Sequence, residues 1–277
     1  MGQVWDIKVL YYGMIRIPKS VSTPGLDTDL VIDWPYLGFL LQTANRNVLV
    51  DTGISENFII DGKAWGGFPA EGGSSYVLKA LDNAGVSPKD IDTVIFTHLH
   101  NDHAGTITPF TRAQFIFQKD EWSILLDPLP VMQVRKDYDP SIVDELRKVN
   151  CLKIDGDVEL ADGINIYKTP GHTPGGQSVA VQTERGLRIM VGDQWHHLFT
   201  GFSQLTELTD MDGNKHKITP APAVYGPFIP TTLVYNYYDW YDSSYKIRAL
   251  MGNNNPECIF PGHEPSLVVR QTPRLIS

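Results

Sequence analysis

Three histidines and an aspartate lie within six consecutive positions of this 277-residue sequence, at His98, His100, Asp102 and His103. The whole chain has eight histidines, so three of them in one short segment indicate that they act together at one site. Neutral imidazole nitrogen and carboxylate oxygen are the ligand atoms that zinc and neighbouring transition metals accept. The residue types therefore predict a metal-binding loop rather than a stretch of solvated polar side chains.

The spacing within this cluster predicts two sets of ligands. His98 and His100 are two positions apart, so along an extended chain their side chains project to the same side. Asp102 and His103 are adjacent and cannot both follow that direction unless the chain turns. Such a turn would divide the cluster between two metal ions.

A short buried strand is predicted to position this cluster, because the apolar run at residues 94–96 directly precedes it. Runs of β-branched and aromatic residues are typical of buried strands. His172, Asp193 and His263 each follow a similar run, with a glycine directly or nearly before them. Glycine there permits close backbone approach around a crowded site. The chain thus supplies five histidines and two aspartates on strand-exit loops, enough for two metal ions that share one carboxylate.

The remaining sequence alternates many short strands with a few helices, which indicates two packed sheets covered by helices. Residues 15–33, rich in Pro, Ser, Thr and Asp, predict a long loop, and the glycine-rich residues 58–73 predict a flexible lid or surface loop. Helices are predicted near residues 74–85, 119–126, 140–149 and 242–251, and strands near residues 4–12, 36–42, 47–51, 94–96, 114–118, 164–168, 178–182, 188–191 and 259–260.

Composition predicts one globular domain spanning residues 1–277, because no linker or repeat divides the chain. The formal net charge of −9 and the lack of a Lys/Arg-rich run argue against a nucleic-acid surface. No apolar stretch approaches the roughly 18 residues of a membrane span. The first residues lack the basic start and apolar core of a signal peptide, so a cytoplasmic protein is expected. Cys151 and Cys258 each begin an apolar run and are predicted to be free thiols.

The polar cluster resembles the His-x-His-x-Asp-His signature of the metallo-β-lactamase superfamily. The resemblance continues along nearly the whole chain, in the family's order and spacing, through His98, His100, Asp102, His103, His172, Asp193 and His263. It implies an α+β fold, an αββα four-layer sandwich with the metal site at one edge of the two sheets.

The resemblance also implies which residues hold which ion. One ion would be held by His98, His100 and His172, the other by Asp102, His103 and His263, with Asp193 bridging the two. Asp51 resembles the family's supporting aspartate, which orients a ligand without binding metal itself. Two Zn²⁺ ions are the expected cofactors, although Mn, Fe and Co accept the same ligand atoms.

Within the superfamily the sequence is similar to the N-acyl homoserine lactonase branch, in its compact length and its long early loop. The second ligand position is His100 rather than the glutamate of the diiron flavoprotein oxidases. The resemblance implies hydrolysis of a small-molecule lactone or related ester, with two ions that acidify water and polarise the carbonyl. Asp102 is predicted to carry a proton to the leaving group.

One position departs from that branch, which has a tyrosine three residues after the bridging aspartate. Here the position is His196, and we predict that it donates a hydrogen bond in the same catalytic role. The neighbouring His197 is predicted to be structural or at the surface, and His216 to be a solvated turn residue.

Other functions fit the same ligand set. One is a thioesterase resembling the hydroxyacylglutathione hydrolases, and another is a mononuclear iron persulfide dioxygenase; a non-catalytic binding module is a third. The substrate pocket is also open, because Trp65, Phe68, Trp195 and the aromatic residues of 235–245 suit either an apolar pocket wall or a satellite core. A homodimer is compatible with the sequence.

Overall fold

Two β-sheets packed face to face form the centre of the protein in the computed structural model, which describes residues 2–269. The strands are β1 (Asp6–Pro18), β2 (Val31–Gln42), β3 (Asn47–Val50), β4 (Lys63–Ala64), β5 (Phe68–Glu71), β6 (Thr93–Ile95), β7 (Gln114–Gln118), β8 (Asn150–Ile154), β9 (Val158–Ala161), β10 (Ile164–Lys168), β11 (Gln177–Thr183), β12 (Gly186–Gly192), β13 (Glu207–Thr209), β14 (Lys215–Lys217) and β15 (Ile259–Pro261). The first sheet has the order β4-β5-β1-β2-β3-β6-β7-β8, the second has the order β15-β12-β11-β10-β9, and β13 pairs with β14 in a separate hairpin.

Helices pack against the outer faces of both sheets, except that the last helix of the described residues places Leu267 in the core between the sheets. They are α1 (Ser74–Asn83), α2 (Lys119–Leu126), α3 (Pro130–Arg135), α4 (Ile142–Leu146), α5 (Leu198–Gly201), α6 (Tyr237–Met251) and α7 (Pro265–Val269). In α1, Val77 and Leu81 lie on one face because they are four positions apart, and both are buried. No helix within residues 2–269 is both long enough and apolar enough to cross a membrane.

Alternation along the strands creates the layers. Val181 and Met190 point into the core between the sheets, whereas their neighbours Ala180 and Ile189 point to the opposite face. That opposite face packs against α6 through Trp240. The outer face of the first sheet packs in the same way against α1 and α2. These three clusters separate four layers and confirm the predicted αββα sandwich.

The prediction of one long loop at residues 15–33 is wrong at both ends. β1 continues to Pro18 and β2 begins at Val31, and the two strands pair along their length, with Ile15 opposite Trp34. Only the segment between the two strands is irregular or 3₁₀-helical.

A β-bulge explains why the sequence hides this strand. Gly13 has φ 110°, and the register of β1 against β2 shifts there. Before the bulge Ile7 and Val9 face the core between the sheets, and after it Ile15 and Ile17 face the outer core. The inserted residue moves odd-numbered side chains to the other face, so no single alternation covers the strand.

Other boundaries also differ from the predictions. The segment 58–73, predicted as a lid or surface loop, contains β4 and β5, and β5 pairs with β1 at the sheet edge. Helix α4 is shorter than the predicted 140–149, because β8 begins at Asn150 and the chain must leave the helix to pair with β7. Helix α6 begins earlier than residue 242, because the Asn236 side chain accepts the N–H groups of Tyr238 and Asp239. Both cysteines are free, as predicted.

Candidate metal centre

The carboxyl ends of five strands lie at one edge of the sandwich and carry the predicted residues. β3 and β6 are parallel neighbours, so Asp51 lies beside the loop that follows β6. β12 and β15 are also parallel, which brings Asp193 and His263 together. β10 is separated from β12 by the antiparallel β11, points the same way as β12 and delivers His172. The sheet topology therefore assembles residues that are far apart in sequence.

One set of ligand-type atoms comes from His98, His100 and His172, hereafter the three-histidine group. One nitrogen from each ring lies within 4.8 Å of the others, and all three residues are buried. The Nε2 atom of His172 is 3.1 Å from Nδ1 of His100. The other ring nitrogen, Nδ1 of His172, donates to the carbonyl of Leu233 at 2.7 Å. That bond places the proton on Nδ1 and leaves the Nε2 lone pair facing the group.

A second set comes from Asp102, His103, Asp193 and His263, hereafter the mixed group, whose ligand atoms also lie within 4.8 Å of one another. The Nε2 atoms of His103 and His263 are each 3.2 Å from Oδ1 of Asp193. The Nε2 atom of His263 is also 3.5 Å from Oδ2 of Asp102. The Nδ1 atom of His263 donates to the carbonyl of Pro35 at 2.9 Å, which orients its ring.

Asp193 lies between the two groups. Its Oδ1 atom is 3.2 Å from Nε2 of both His103 and His263, and its Oδ2 atom is 3.2 Å from Nε2 of His263 and 3.6 Å from Nε2 of His172. Nε2 of His196 lies 3.2 Å from the same Oδ2 atom. A single carboxylate that faces both groups is suited to bridging two cations.

Asp51 orients the loop that carries His103. Its Oδ1 accepts the backbone N–H of Thr97 at 2.7 Å, and its Oδ2 accepts the Thr97 hydroxyl at 2.8 Å and Nδ1–H of His103 at 2.8 Å. Asp51 has φ 60°, a left-handed conformation that aspartate tolerates better than most residues. It therefore supports a ligand-type residue from behind, as the family resemblance implied.

Electrostatics differ between the two groups. Burial, together with the neighbouring imidazoles, lowers the pKa of His98 and of His100 well below their ordinary value. Burial also acts to lower the pKa of His103, but the carboxylates of Asp193 and Asp102 outweigh it and raise that pKa well above its ordinary value. The three-histidine group thus offers neutral imidazoles, whereas the mixed group attracts positive charge.

Buried polar atoms without partners test whether this site suits metal ions. Within residues 2–269, Nε2 of His98, Nε2 of His100 and both carboxylate oxygens of Asp102 are buried without a hydrogen-bond partner. Leaving such atoms unpaired is costly unless something else satisfies them. Nitrogen and oxygen atoms at these spacings fit divalent transition-metal ions.

A cavity of about 260 Å³ opens above both groups. Its polar side is formed by His100, Asp137, His172, Asp193, His196 and His263. Its apolar walls include Ile17, Trp34, Trp65, Phe68, Met132 and Leu233. A larger groove of about 1110 Å³ adjoins it and shares Trp65, Met132 and Arg135 with it. An apolar ligand with one polar group therefore has room to lie against the candidate metal centre.

The aromatic residues singled out in the sequence divide between two roles. Trp65, Phe68 and Tyr235 line the cavity. Trp195 and Trp240 instead belong to the core on the outer side of the second sheet, together with Phe228. Several tyrosines of α6 are at the surface, and Tyr238 is 86% exposed. The pocket-wall prediction is therefore right for some of these aromatic residues, and the satellite-core prediction is right for others.

The two adjacent histidines also divide. His196 lines the cavity, and burial lowers its pKa to about 3. His197 is buried, lies 3.1 Å from the Ser22 hydroxyl and stacks on Phe199, as expected of a structural residue. His216 is not a solvated turn residue, because it lies on β14 and contacts Asp210 at 2.7 Å.

Sequence reasoning missed several residues that support the site. The carbonyl groups of Pro35 and Leu233 orient two imidazoles, and no side-chain signal could reveal them. Glu121 is a buried carboxylate that accepts the backbone N–H of Leu99 at 2.8 Å and of Gly175 at 2.9 Å. The available signal was an acidic residue in the first turn of α2, directly after a buried strand.

The fold and the clustered side chains together define a class, the αββα sandwiches with a histidine- and aspartate-rich centre at the sheet edge. A sequence profile described as the metallo-beta-lactamase superfamily matches residues 33–263. The chain belongs to the metallo-β-lactamase superfamily.

Two relatives of this chain are named N-acyl homoserine lactonases. An N-acyl homoserine lactonase of Bacillus cereus is 30% identical over 198 residues, which cover 68% of this chain and 76% of the relative. The N-acyl homoserine lactonase AiiB of Agrobacterium fabrum is 29% identical over 204 residues, covering 64% of this chain and 72% of that protein.

Solved structures agree on the fold. An N-acyl homoserine lactone hydrolase with the product N-hexanoyl-L-homoserine at its catalytic metal centre superposes with a TM-score of 0.74 at 22% identity, covering 99% of this chain and 98% of the other. AidC, described as a dizinc quorum-quenching lactonase, gives a TM-score of 0.67 at 18% identity, covering 94% and 87%.

Proposed function

We propose that this protein is a dinuclear, zinc-dependent hydrolase that opens the ring of N-acyl homoserine lactones or closely related lactones. The observation that carries the proposal is the position of Asp193, whose carboxylate lies within 3.6 Å of His172 on one side and within 3.2 Å of His103 and His263 on the other. The names of the relatives support the substrate class. Removal of such lactones is the chemistry of quorum quenching.

The proposed ligand assignment follows the two groups. The three-histidine group would hold one ion, Asp102, His103 and His263 would hold the other, and Asp193 would bridge them. Two bound divalent ions lower the pKa of water and polarise a carbonyl oxygen. The residues around them fix the imidazole orientations through Asp51, Leu233 and Pro35.

Asp102 is proposed to move the proton during ring opening. Both of its carboxylate oxygens are buried without a hydrogen-bond partner within the described residues, so one remains available when the other is engaged. Burial raises the pKa of Asp102, although His103 and His263 act against this rise. A raised pKa favours a carboxylate that accepts a proton and later donates it to the leaving oxygen.

His196 is proposed to contact the substrate. Its ring is in the cavity wall, and its Nδ1 atom is buried without a hydrogen-bond partner in residues 2–269. Because its pKa is about 3, the ring is neutral at physiological pH and can donate one hydrogen bond. This is the role expected at the position where the lactonase branch has tyrosine.

The cavity walls suit the rest of such a substrate. Trp34, Trp65 and Met132 enclose the apolar side, and the adjoining groove extends it past Trp65 and Arg135. Burial of an acyl chain there would be worth roughly 0.8 kcal/mol per CH₂ group.

We also propose that residues 1–277 form one domain, since the core between the sheets includes Trp5 and Leu267.

Metal analysis combined with a substrate panel tests this function. We expect about two zinc ions per chain and hydrolysis of N-acyl homoserine lactones that a chelator abolishes and Zn²⁺ restores. The panel should contain other lactones, aryl esters and thioesters, with His216→Ala as a matched histidine control that keeps its activity. Two bound ions without lactone or ester hydrolysis would contradict the proposal. A strong thioester preference would favour a thioesterase, and one iron per chain with persulfide oxidation would favour a dioxygenase.

A further inference from the structure

We infer that Glu121 is a positioning residue, whose buried carboxylate joins the two loops of the three-histidine group and sets the affinity of that group for its ion. The inference rests on the proposed metal centre and extends it to a residue that contacts neither ion nor substrate. Glu121 lies in the first turn of α2 and is completely buried.

The contacts of Glu121 connect the two loops directly. Its Oε2 atom accepts the N–H of Leu99, the residue between His98 and His100. Its Oε1 atom accepts the N–H of Gly175, in the turn that follows His172. One side chain therefore holds the loop after β6 and the loop after β10 at a fixed separation.

The packing around Glu121 indicates that this approach is tightly constrained. A Cβ atom on Gly175 would lie 2.5 Å from the backbone nitrogen of Glu121 and 2.8 Å from its Cγ atom. The turn can therefore reach the start of α2 only with glycine at this position. The ring of Tyr138 packs edge-on against the His100 ring, with centroids 4.8 Å apart, and closes the same region.

The charge of Glu121 complements the group it supports. The three-histidine group contains only neutral imidazoles, so an ion there would gain negative charge from its ligands only through the shared Asp193 carboxylate. Each oxygen of Glu121 accepts a backbone N–H, which is the pattern of an ionised carboxylate. A buried anion behind the group offsets part of the ion's charge in a region of low dielectric constant.

Glu264 provides a matched comparison within the same chain. It is also a buried carboxylate, and its Oε2 accepts the N–H of Leu198 at 2.9 Å. It follows His263 directly, so it joins the loops on the side of the mixed group. Its neutralisation should leave the three-histidine group intact.

The experiment is zinc titration of the full-length, chelator-stripped protein in the absence of substrate. The variants are Glu121→Gln, Glu121→Asp, Glu264→Gln and the control Asp144→Asn at an exposed residue of α4. Side-chain ¹⁵N spectra of the histidines report which imidazoles bind the added Zn²⁺. Circular dichroism and the Tm of each metal-free variant report whether it is folded.

We expect Glu121→Gln to weaken zinc binding at His98, His100 and His172 by about 10–100-fold, the usual cost of losing a residue that supports a ligand. Binding at the mixed group should be unchanged. Glu121→Asp keeps the charge but is too short to reach both N–H groups, so its loss should be smaller and at the same imidazoles. Glu264→Gln and Asp144→Asn should leave the three-histidine group as in the wild type.

Wild-type affinity at the three-histidine group in both Glu121 variants would overturn the inference. An equal loss at both groups together with a lowered metal-free Tm would overturn it as well, because it would show a general structural role. Should Glu121→Gln fail to fold, Glu121→Asp decides by the same criteria. A wild type that binds two Zn²⁺ but opens no lactone would contradict the proposed activity and leave the role of Glu121 standing.

Discussion

The three-histidine group and the mixed group share one cavity floor, yet they are built differently. The mixed group contains the carboxylates of Asp102 and Asp193, and Asp51 supports it through another carboxylate. The three-histidine group contains only imidazoles, oriented by a backbone carbonyl and by loops that Glu121 joins. The mixed group therefore contains carboxylates of its own, whereas the three-histidine group depends on carboxylates that lie beside it.

This difference predicts that the two groups have different roles in the proposed reaction. An ion in the mixed group is largely neutralised by its own ligands, whereas an ion among neutral imidazoles keeps more of its positive charge. We therefore expect the substrate carbonyl oxygen to approach the three-histidine side and the proton transfers to occur at Asp102. The variants below test this division.

The largest effect should come from Asp102→Ala, which removes a carboxylate of the mixed group alone. We expect turnover to fall by about 10²–10⁴-fold, because proton transfer and part of the ion binding are lost together. The three-histidine group should still bind zinc, so turnover should fall further than metal content. Steady-state kinetics and elemental analysis measure the two quantities, and a near-normal rate would contradict the proposed role.

A smaller effect is expected from Asp51→Asn, which keeps the shape but removes the negative charge behind His103. We expect metal affinity at the mixed group to fall by about 10–100-fold, with little change at the three-histidine group. Competition with a chelator measures the affinities. Asp92→Asn is the control, because Asp92 lies at the opposite end of β6, where its carboxylate accepts the backbone N–H of Asn47. Equal losses in both variants would rule out a specific role for Asp51.

The smallest effect should come from His196→Phe, at the border between the two groups. We expect about a tenfold lower turnover, the cost of one hydrogen bond to an oxygen that gains charge, with metal content unchanged. His196→Tyr should retain most of the activity.

The pH profile sharpens this test. Because burial holds the pKa of His196 near 3, its ring stays neutral from about pH 5 to 8. The ratio of the wild-type turnover to that of His196→Phe should therefore be constant over that range. An unchanged rate in His196→Phe would return the residue to a structural role. A loss of metal in the same variant would make it a ligand.

Much of the candidate site could be predicted because the ends of buried strands can be recognised in a sequence. Short apolar runs followed by His98, His172, Asp193 or His263 indicate where each side chain leaves its strand, and sheet topology does the rest. The supporting contacts could not be read in this way. Pro35 and Leu233 act through backbone carbonyls, which every residue has, and an acidic residue such as Glu121 in a first helical turn is usually at the surface.

The fold was predicted at the level of layers but not of boundaries. Two-residue alternation identifies strands only while it continues, and the bulge at Gly13 interrupts it within β1. Composition also does not predict where an aromatic side chain points. Trp65 and Trp195 are the same residue type, but Trp65 lines the cavity and Trp195 lies in a core. Such differences depend on tertiary packing.

The parallel pairing of β12 with β15 has a consequence for the nascent chain. His263 follows the last strand within residues 2–269, so β15 leaves the ribosome after β12 and α6 and then pairs with β12 at the edge of the second sheet. The three-histidine group is complete in sequence long before that, once residue 172 has emerged. Synthesis therefore separates the two halves of the centre in time, and a truncated chain that ends before β15 retains only one of them.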